Sequence, residues 1–109
     1  MRKKTIQDKT DKTPVREKTV EQKLVKAVKA VGGIAPKLVS PGFDGMPDRM
    51  VLLPMGRIAF VEVKAPGRKP RPLQEARLKT LRGLHFKAYV LDAVEQIPAI
   101  ISEIGGDTL

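Results

Sequence analysis

The stretch "GMPDRMVLLPMGRIAFVEVKAPG", residues 45–67, holds two apolar runs separated by Pro54-Met55-Gly56. "DRMVLLP" and "RIAFVEVK" are rich in Val, Ile and Leu, which suit a pleated, half-buried surface. Pro54 fits the first turn position and Gly56 a left-handed third one. The spacing therefore predicts a three-residue hairpin loop, a type I turn followed by a glycine bulge. With that loop Leu53 faces Arg57, and stepping outward pairs 52 with 58, 51 with 59 and 48 with 62. Asp48 then stands opposite Glu62, with Cβ atoms roughly 4.5–5.5 Å apart. Side chains two apart on a strand share a face, so Lys64 points the same way as Glu62, away from Val61 and Val63.

Two carboxylates directly opposite one another repel unless a cation lies between them. A divalent ion with oxygen ligands resolves the conflict. Mg²⁺ (or Mn²⁺) is the natural candidate, because Mg²⁺ takes one or two carboxylates, keeps several waters and accepts a substrate phosphate. Lys64 is then placed to orient or deprotonate an attacking water, or to hold a phosphate. Taken singly, each of these residues is what any exposed strand end carries. Their convergence points to chemistry.

The charge beside the hairpin agrees. The 109-residue chain carries 21 Lys and Arg against 12 Asp and Glu, a net charge of +9. From Lys64 to Lys87 the basic residues are Lys64, Arg68, Lys69, Arg71, Arg77, Lys79, Arg82 and Lys87, and the single acid is Glu75. Such an excess favours a polyanionic partner, nucleic acid above all. Aromatic content of 4% makes stacking-based recognition of single strands a weak expectation. Without cysteine there is neither a disulfide framework nor a zinc-thiolate site. No apolar run is long enough to span a membrane, and the N-terminus lacks a signal-peptide core, so a cytoplasmic protein is expected.

Residues 1–14 read as a flexible basic arm, 15–104 as one domain and 105–109 as a short tail. Val20, Leu24, Ala27, Val28 and Val31 form one stripe of an amphipathic helix over 15–31, with Thr19 or Thr13 as its cap and Gly32-Gly33 as its stop. "IAPKLVS" reads as a short strand before the loop "PGFDGMP", in which Asp44-Gly45 is a turn pair. A helix is expected from Leu73 to Arg82, a strand in "FKAYVLD", and a last helix in "AVEQIPAIISEI", interrupted or restarted at Pro98. His85 has no partner at ligand spacing, and Tyr89 alternates with apolar residues as a packing residue does. The fold class is α/β, a mixed sheet flanked by helices in the order αβββαβα.

"PD" at 47–48 followed by "EVK" at 62–64 matches the PD-(D/E)xK nuclease pattern. From about Arg16 to Asp92 the chain resembles the VRR-NUC branch of those nucleases, particularly its small stand-alone phage and bacterial members. The first helix, the Gly-x-Pro-Asp loop, the Glu-x-Lys strand and a following Gln appear in the family's order. The resemblance implies a restriction-endonuclease-like core with a four-stranded mixed sheet. It makes Asp48 and Glu62 metal ligands, adds the backbone carbonyl of Val63, and makes Lys64 the catalytic lysine. It also calls for an acid from the first helix, for which Glu21 is the better candidate and Glu17 the competitor. Gln74 takes the family's glutamine position, to bind a water or phosphate near the metal or to remain a surface residue of a first helical turn. Ser40, Arg68, Lys69 and Arg71 are candidate contacts to DNA, although a strand-end turn accounts for Ser40 equally well.

The function so implied is a metal-dependent, structure-specific DNA endonuclease. It would act as a homodimer on four-way (Holliday) junctions, where two-fold symmetry suits two linked incisions. A general duplex or flap nuclease, or a non-catalytic nucleic-acid-binding module, are the alternatives. "IPAIISEI" would either form the dimer contact or complete the core.

Overall fold

A computed structural model describes residues 15–106; the expected basic arm and Thr13 lie outside them. Three helices and three strands follow one another as α1 (Glu17–Ala30), β1 (Arg49–Leu53), β2 (Arg57–Val63), α2 (Pro72–Gly83), β3 (Lys87–Leu91) and α3 (Ile97–Gly105). The sheet order is β1-β2-β3, with β1 antiparallel and β3 parallel to β2.

α1 forms because Val20, Leu24 and Val28 recur every four residues and all three are fully buried. Its N-cap is Arg16, with no side-chain capping bond, so Thr19 lies inside the helix and does not cap it. At the other end the Gly32 N–H donates to the Lys29 carbonyl and the Gly33 N–H to that of Val28, a Schellman stop with Gly32 at φ 89°. The stop comes before Val31, which is left exposed rather than on the buried stripe.

The hairpin register is Leu53↔Arg57, Leu52↔Ile58, Val51↔Ala59, Met50↔Phe60 and Arg49↔Val61, the pairing expected from its loop. Within the loop Gly56 has the expected positive φ of 72°, but so does Met55 (φ 72°, ψ 24°). A type I turn needs a negative φ there, so the turn is of another kind.

The expected strand at 34–40 is replaced by two isolated antiparallel bridges, Ile34↔Leu52 and Lys37↔Arg49. Ile34 and Leu52 exchange both backbone hydrogen bonds, the Met50 N–H donates to the Pro36 carbonyl, and the Leu38 N–H to that of Asp48. The register is constant, but Pro36 has no N–H with which to answer Met50. The ladder breaks there, and the regular sheet has three strands among the described residues.

Both faces of β2 are covered. Ala59, Val61 and Val63 join Val51, Leu53 and Leu91 against α1 and α3, whose Ile97, Ile100, Ile101 and Ile104 are all buried. On the other face Phe60 and Ala88 pack under Leu78 and Leu81 of α2, with Met50, Met46, Leu38 and Val90 around them. Phe86 closes that layer edge-on to Phe60 at 5.7 Å. Arg82 donates from both Nε and Nη2 to the Ala88 carbonyl, fixing the end of α2 to β3. "IPAIISEI" therefore completes the core. Pro98 falls in the first turn of α3, after a 3-10 turn at Val94–Gln96, so the chain does restart near that proline.

Candidate active site

Alternation along β2 sends Phe60, Glu62 and then Lys64 to the α2 side of the sheet. Asp48 lies one step beyond the last pair of the hairpin and reaches β2 directly, its Oδ2 accepting the Val63 N–H at 2.8 Å. Lys64 is anchored beyond β2 by its own N–H, which donates to the Leu91 carbonyl at 2.8 Å. Asp48, Glu62 and Lys64 thus meet where the sheet ends and the apolar layer under α2 gives out.

Glu62 is 1% exposed. The Lys64 ammonium is 3.2 Å from its Oε2, an ion-pair distance, yet neither carboxylate oxygen has an aligned hydrogen-bond partner. Burial first, and then the Asp48 charge, push its pKa up from 4.5 to about 7, against the pull of Lys64. Asp48 is also raised, chiefly by burial and further by Glu21, while the Val63 N–H, Lys64 and Arg49 oppose the shift. Two half-satisfied acids side by side form a site that binding a cation would relieve.

The donor chemistry fits a hard divalent ion. Asp48 and Glu62 offer carboxylate oxygens, and the buried pair on Glu62 has the Lys64 ammonium as its neighbouring cation. Among the described residues no three acidic, histidine or cysteine side chains converge on a common ion position. Glu21 in particular is engaged elsewhere: its Oε2 accepts Arg49 Nε at 2.8 Å, and both side chains are more than four-fifths buried. Arg49 also donates from Nη1 to the Ala35 carbonyl at 2.8 Å, which joins α1, β1 and the bridging segment. Glu17 is exposed, although its charge is felt at Glu62.

Reasoning from sequence missed Arg49. The signal was present, because Arg49 alternates with Val51 and Leu53 on a strand, and an arginine on a core-facing side demands an anionic partner.

Gln74 is buried in the first turn of α2, where its Oε1 accepts the Arg71 N–H at 2.8 Å. Half of its amide is thereby spent on holding the helix start. Ser40 sits in the loop before the site and its carbonyl accepts the Phe43 N–H. Arg68, Lys69 and Arg71 are exposed, but Arg77 and Arg82 of the same basic run are bound to the backbone carbonyls of Asp44 and Ala88. His85 is exposed with φ 71°, and Tyr89 packs on the core while its hydroxyl donates to Glu103 at 2.6 Å.

Comparison with known proteins places this arrangement. The chain is 51% identical over 79 residues to the candidate nuclease p44 of Acyrthosiphon pisum secondary endosymbiont phage 1, covering 72% of this chain and 85% of that one. A solved VRR-NUC domain superimposes with a TM-score of 0.74 at 32% identity, over 79% of this chain and 94% of its own. A second VRR-NUC domain protein shares the fold at a TM-score of 0.68 and 15% identity, over 84% and 89% of the two chains. With the VRR-NUC domain pattern itself matched across residues 3–95, including the hairpin and both of its acids, the chain belongs to the VRR-NUC family.

Proposed function

We propose that this protein is a divalent-metal-dependent DNA endonuclease, acting as a homodimer in the cytoplasm on four-way junctions. The observation that carries the reading is Glu62, a buried carboxylate set beside the Asp48 carboxylate, with the Lys64 ammonium 3.2 Å from its Oε2. Asp48, Glu62 and the Val63 carbonyl would hold Mg²⁺ or Mn²⁺. When bound, the ion supplies polarisation of the phosphate and acidification of a water.

The chain's own groups do the rest. Lys64 lies against Glu62 in a sheltered position and presents an ammonium to the scissile phosphate, or to the water that attacks it. Glu21 is paired with Arg49 and its charge is felt at Asp48; it would join the ligands of the ion by exchanging that pair. Gln74, next to the basic run, would use its free Nε2 on a phosphate or water. Arg68, Lys69 and Arg71 are exposed to grip the backbone, and Ser40 lies on the approach. On the far side Lys23, Lys26 and Lys29 line a shallow groove with Arg49, a second surface for phosphates.

A dimer contact would not be made by the isoleucines of "IPAIISEI", since they are in the core. Two-fold symmetry of the enzyme would match that of a junction.

The test is cleavage of a labelled four-way junction beside linear duplex, flap and single strand, with Mg²⁺, Mn²⁺ or EDTA, for wild type and Lys64→Ala. Metal-dependent cutting of the junction above the others, lost in Lys64→Ala with binding retained, is the expected result. Equal cutting of duplex or flap would replace junction resolution by general nuclease activity. Binding without cutting in any metal would leave a nucleic-acid-binding module.

A further inference from the structure

The chain has four aromatic side chains, three Phe and one Tyr. Phe60 and Phe86 pack on one another in the layer under α2, and Tyr89 packs on the main core and bonds Glu103. Phe43 is different. It stands in the loop between Ser40 and Asp48, 48% exposed, with the Arg77 guanidinium 3.8 Å from its ring centroid.

That loop is held in place. Arg77 Nε donates to the Asp44 carbonyl at 2.7 Å, so a single arginine of α2 fixes both the backbone and the ring. Gly45, at φ 88°, lies so close to Leu73 that a Cβ there would come within 2.7 Å of its Cγ. Leu73 is itself 45% exposed and precedes Gln74. The Leu38 N–H bonded to the Asp48 carbonyl closes the loop at its base, beside the acid of the site. An exposed ring on a pinned loop, rooted at Asp48 and backed by a cation, costs energy to display in water. It offers an apolar face on the loop that leads into Asp48, next to Arg77 of the basic run.

We propose that Phe43, held on Arg77, is a stacking platform for an unstacked base of the DNA substrate, at a branch point or in a single-stranded arm. This rests on the nuclease reading and adds a source of structure selectivity to it. Fully paired DNA keeps its base faces stacked on one another, whereas a branch point or single-stranded arm has faces free to meet the ring. Base–aromatic stacking is indifferent to sequence, because every base has a π face, and so it selects shape rather than letters.

The chain has no tryptophan, so Phe43→Trp introduces a single fluorophore at the platform. In a Lys64→Ala background, to prevent cutting, its emission should be quenched by a Y-shaped DNA with single-stranded arms and much less by a blunt duplex of equal length. In the otherwise wild-type protein, Phe43→Ala should lower the ratio of branched to fully paired cleavage by about tenfold. Phe43→Trp should restore that ratio. An unchanged ratio in Phe43→Ala, or Trp emission that responds equally to both DNAs, would overturn the platform. If wild type cuts neither DNA with Mg²⁺ or Mn²⁺, the nuclease reading fails, and the fluorescence contrast alone decides whether Phe43 stacks on bases.

Discussion

Glu62 makes the strongest demand of any single residue. A carboxylate whose pKa is raised from 4.5 to about 7 by burial and by Asp48 destabilises the metal-free fold once it ionises. Below pH 4.5 it is protonated in folded and unfolded chains alike and costs nothing. Between 4.5 and 7 the unfolded chain gives up the proton first, so stability falls as pH rises. Above 7 the penalty is complete. Glu62→Gln should therefore stabilise the metal-free protein at pH 8 by on the order of 2 kcal/mol, a gain that vanishes below pH 4.5. Thermal melts across pH in EDTA would show it. Mg²⁺ should raise the melting temperature of wild type and not of Glu62→Gln, since an ion that binds only the folded state stabilises it.

Arg49 acts at the same scale. Arg49→Gln leaves the Glu21 carboxylate sheltered without its cation and the Ala35 carbonyl without its donor. A loss of about 2–3 kcal/mol is expected in urea unfolding. Replacing both, in Arg49→Gln with Glu21→Gln, should recover part of it. Strict additivity of the two losses would show that the pair is not coupled.

Elements bring these residues together through their ends. α1 must stop at Gly32-Gly33 so that the chain can run back along β1, and Gly33 passes so close that a Cβ would overlap the Leu52 carbonyl. Gly33→Ala should cost about 2 kcal/mol or more, because the Leu52 backbone, bonded to Ile34 and paired with β2, cannot give way as a flexible side chain does. Denaturant midpoints measure this. On the opposite face Leu78 is fully buried against the layer that ends at Glu62. Leu78→Ala should remove about 3 kcal/mol and loosen α2, and with it Gln74.

For the whole molecule the decisive fact is that one sheet serves two purposes. Its α1/α3 face is apolar along β2 from Ala59 to Val63, while its α2 face turns from Phe60 to Glu62 and Lys64 within four residues. α3 belongs to the first purpose. Ile101→Ala should lower stability by about 2–4 kcal/mol, a loss of the same size at every protein concentration, whereas a residue in a dimer contact would also weaken self-association in sedimentation. The net charge of +9 belongs to the whole molecule as well. DNA affinity should fall linearly on a log–log plot with salt, by about 0.9 per phosphate contacted.

The local terms were legible in the amino-acid order. Val20, Leu24 and Val28 announced a helix through their period, Gly32 its end, and Pro54 to Gly56 the hairpin. From that loop the register follows by counting, and with it the placement of Asp48 opposite Glu62 on the face of Lys64. Membership of the VRR-NUC family was legible because its motifs follow one another along the chain in the family's order. Interactions at long separation decided what was misread. The segment at 34–40 has the composition of a strand, yet Pro36 denies it one ladder bond just where it meets Met50. The partner of Glu21 could not be read either, since the packing of α1 against β1 brings Arg49 to it from 28 residues away. "IPAIISEI" is equally apolar as a surface or a core, and the choice was made when α3 folded back onto α1 and β2. Period and turn chemistry act between neighbours and can be read in one dimension. Burial and charge partnership are properties of the assembled fold, because they depend on which distant side chain occupies the same space.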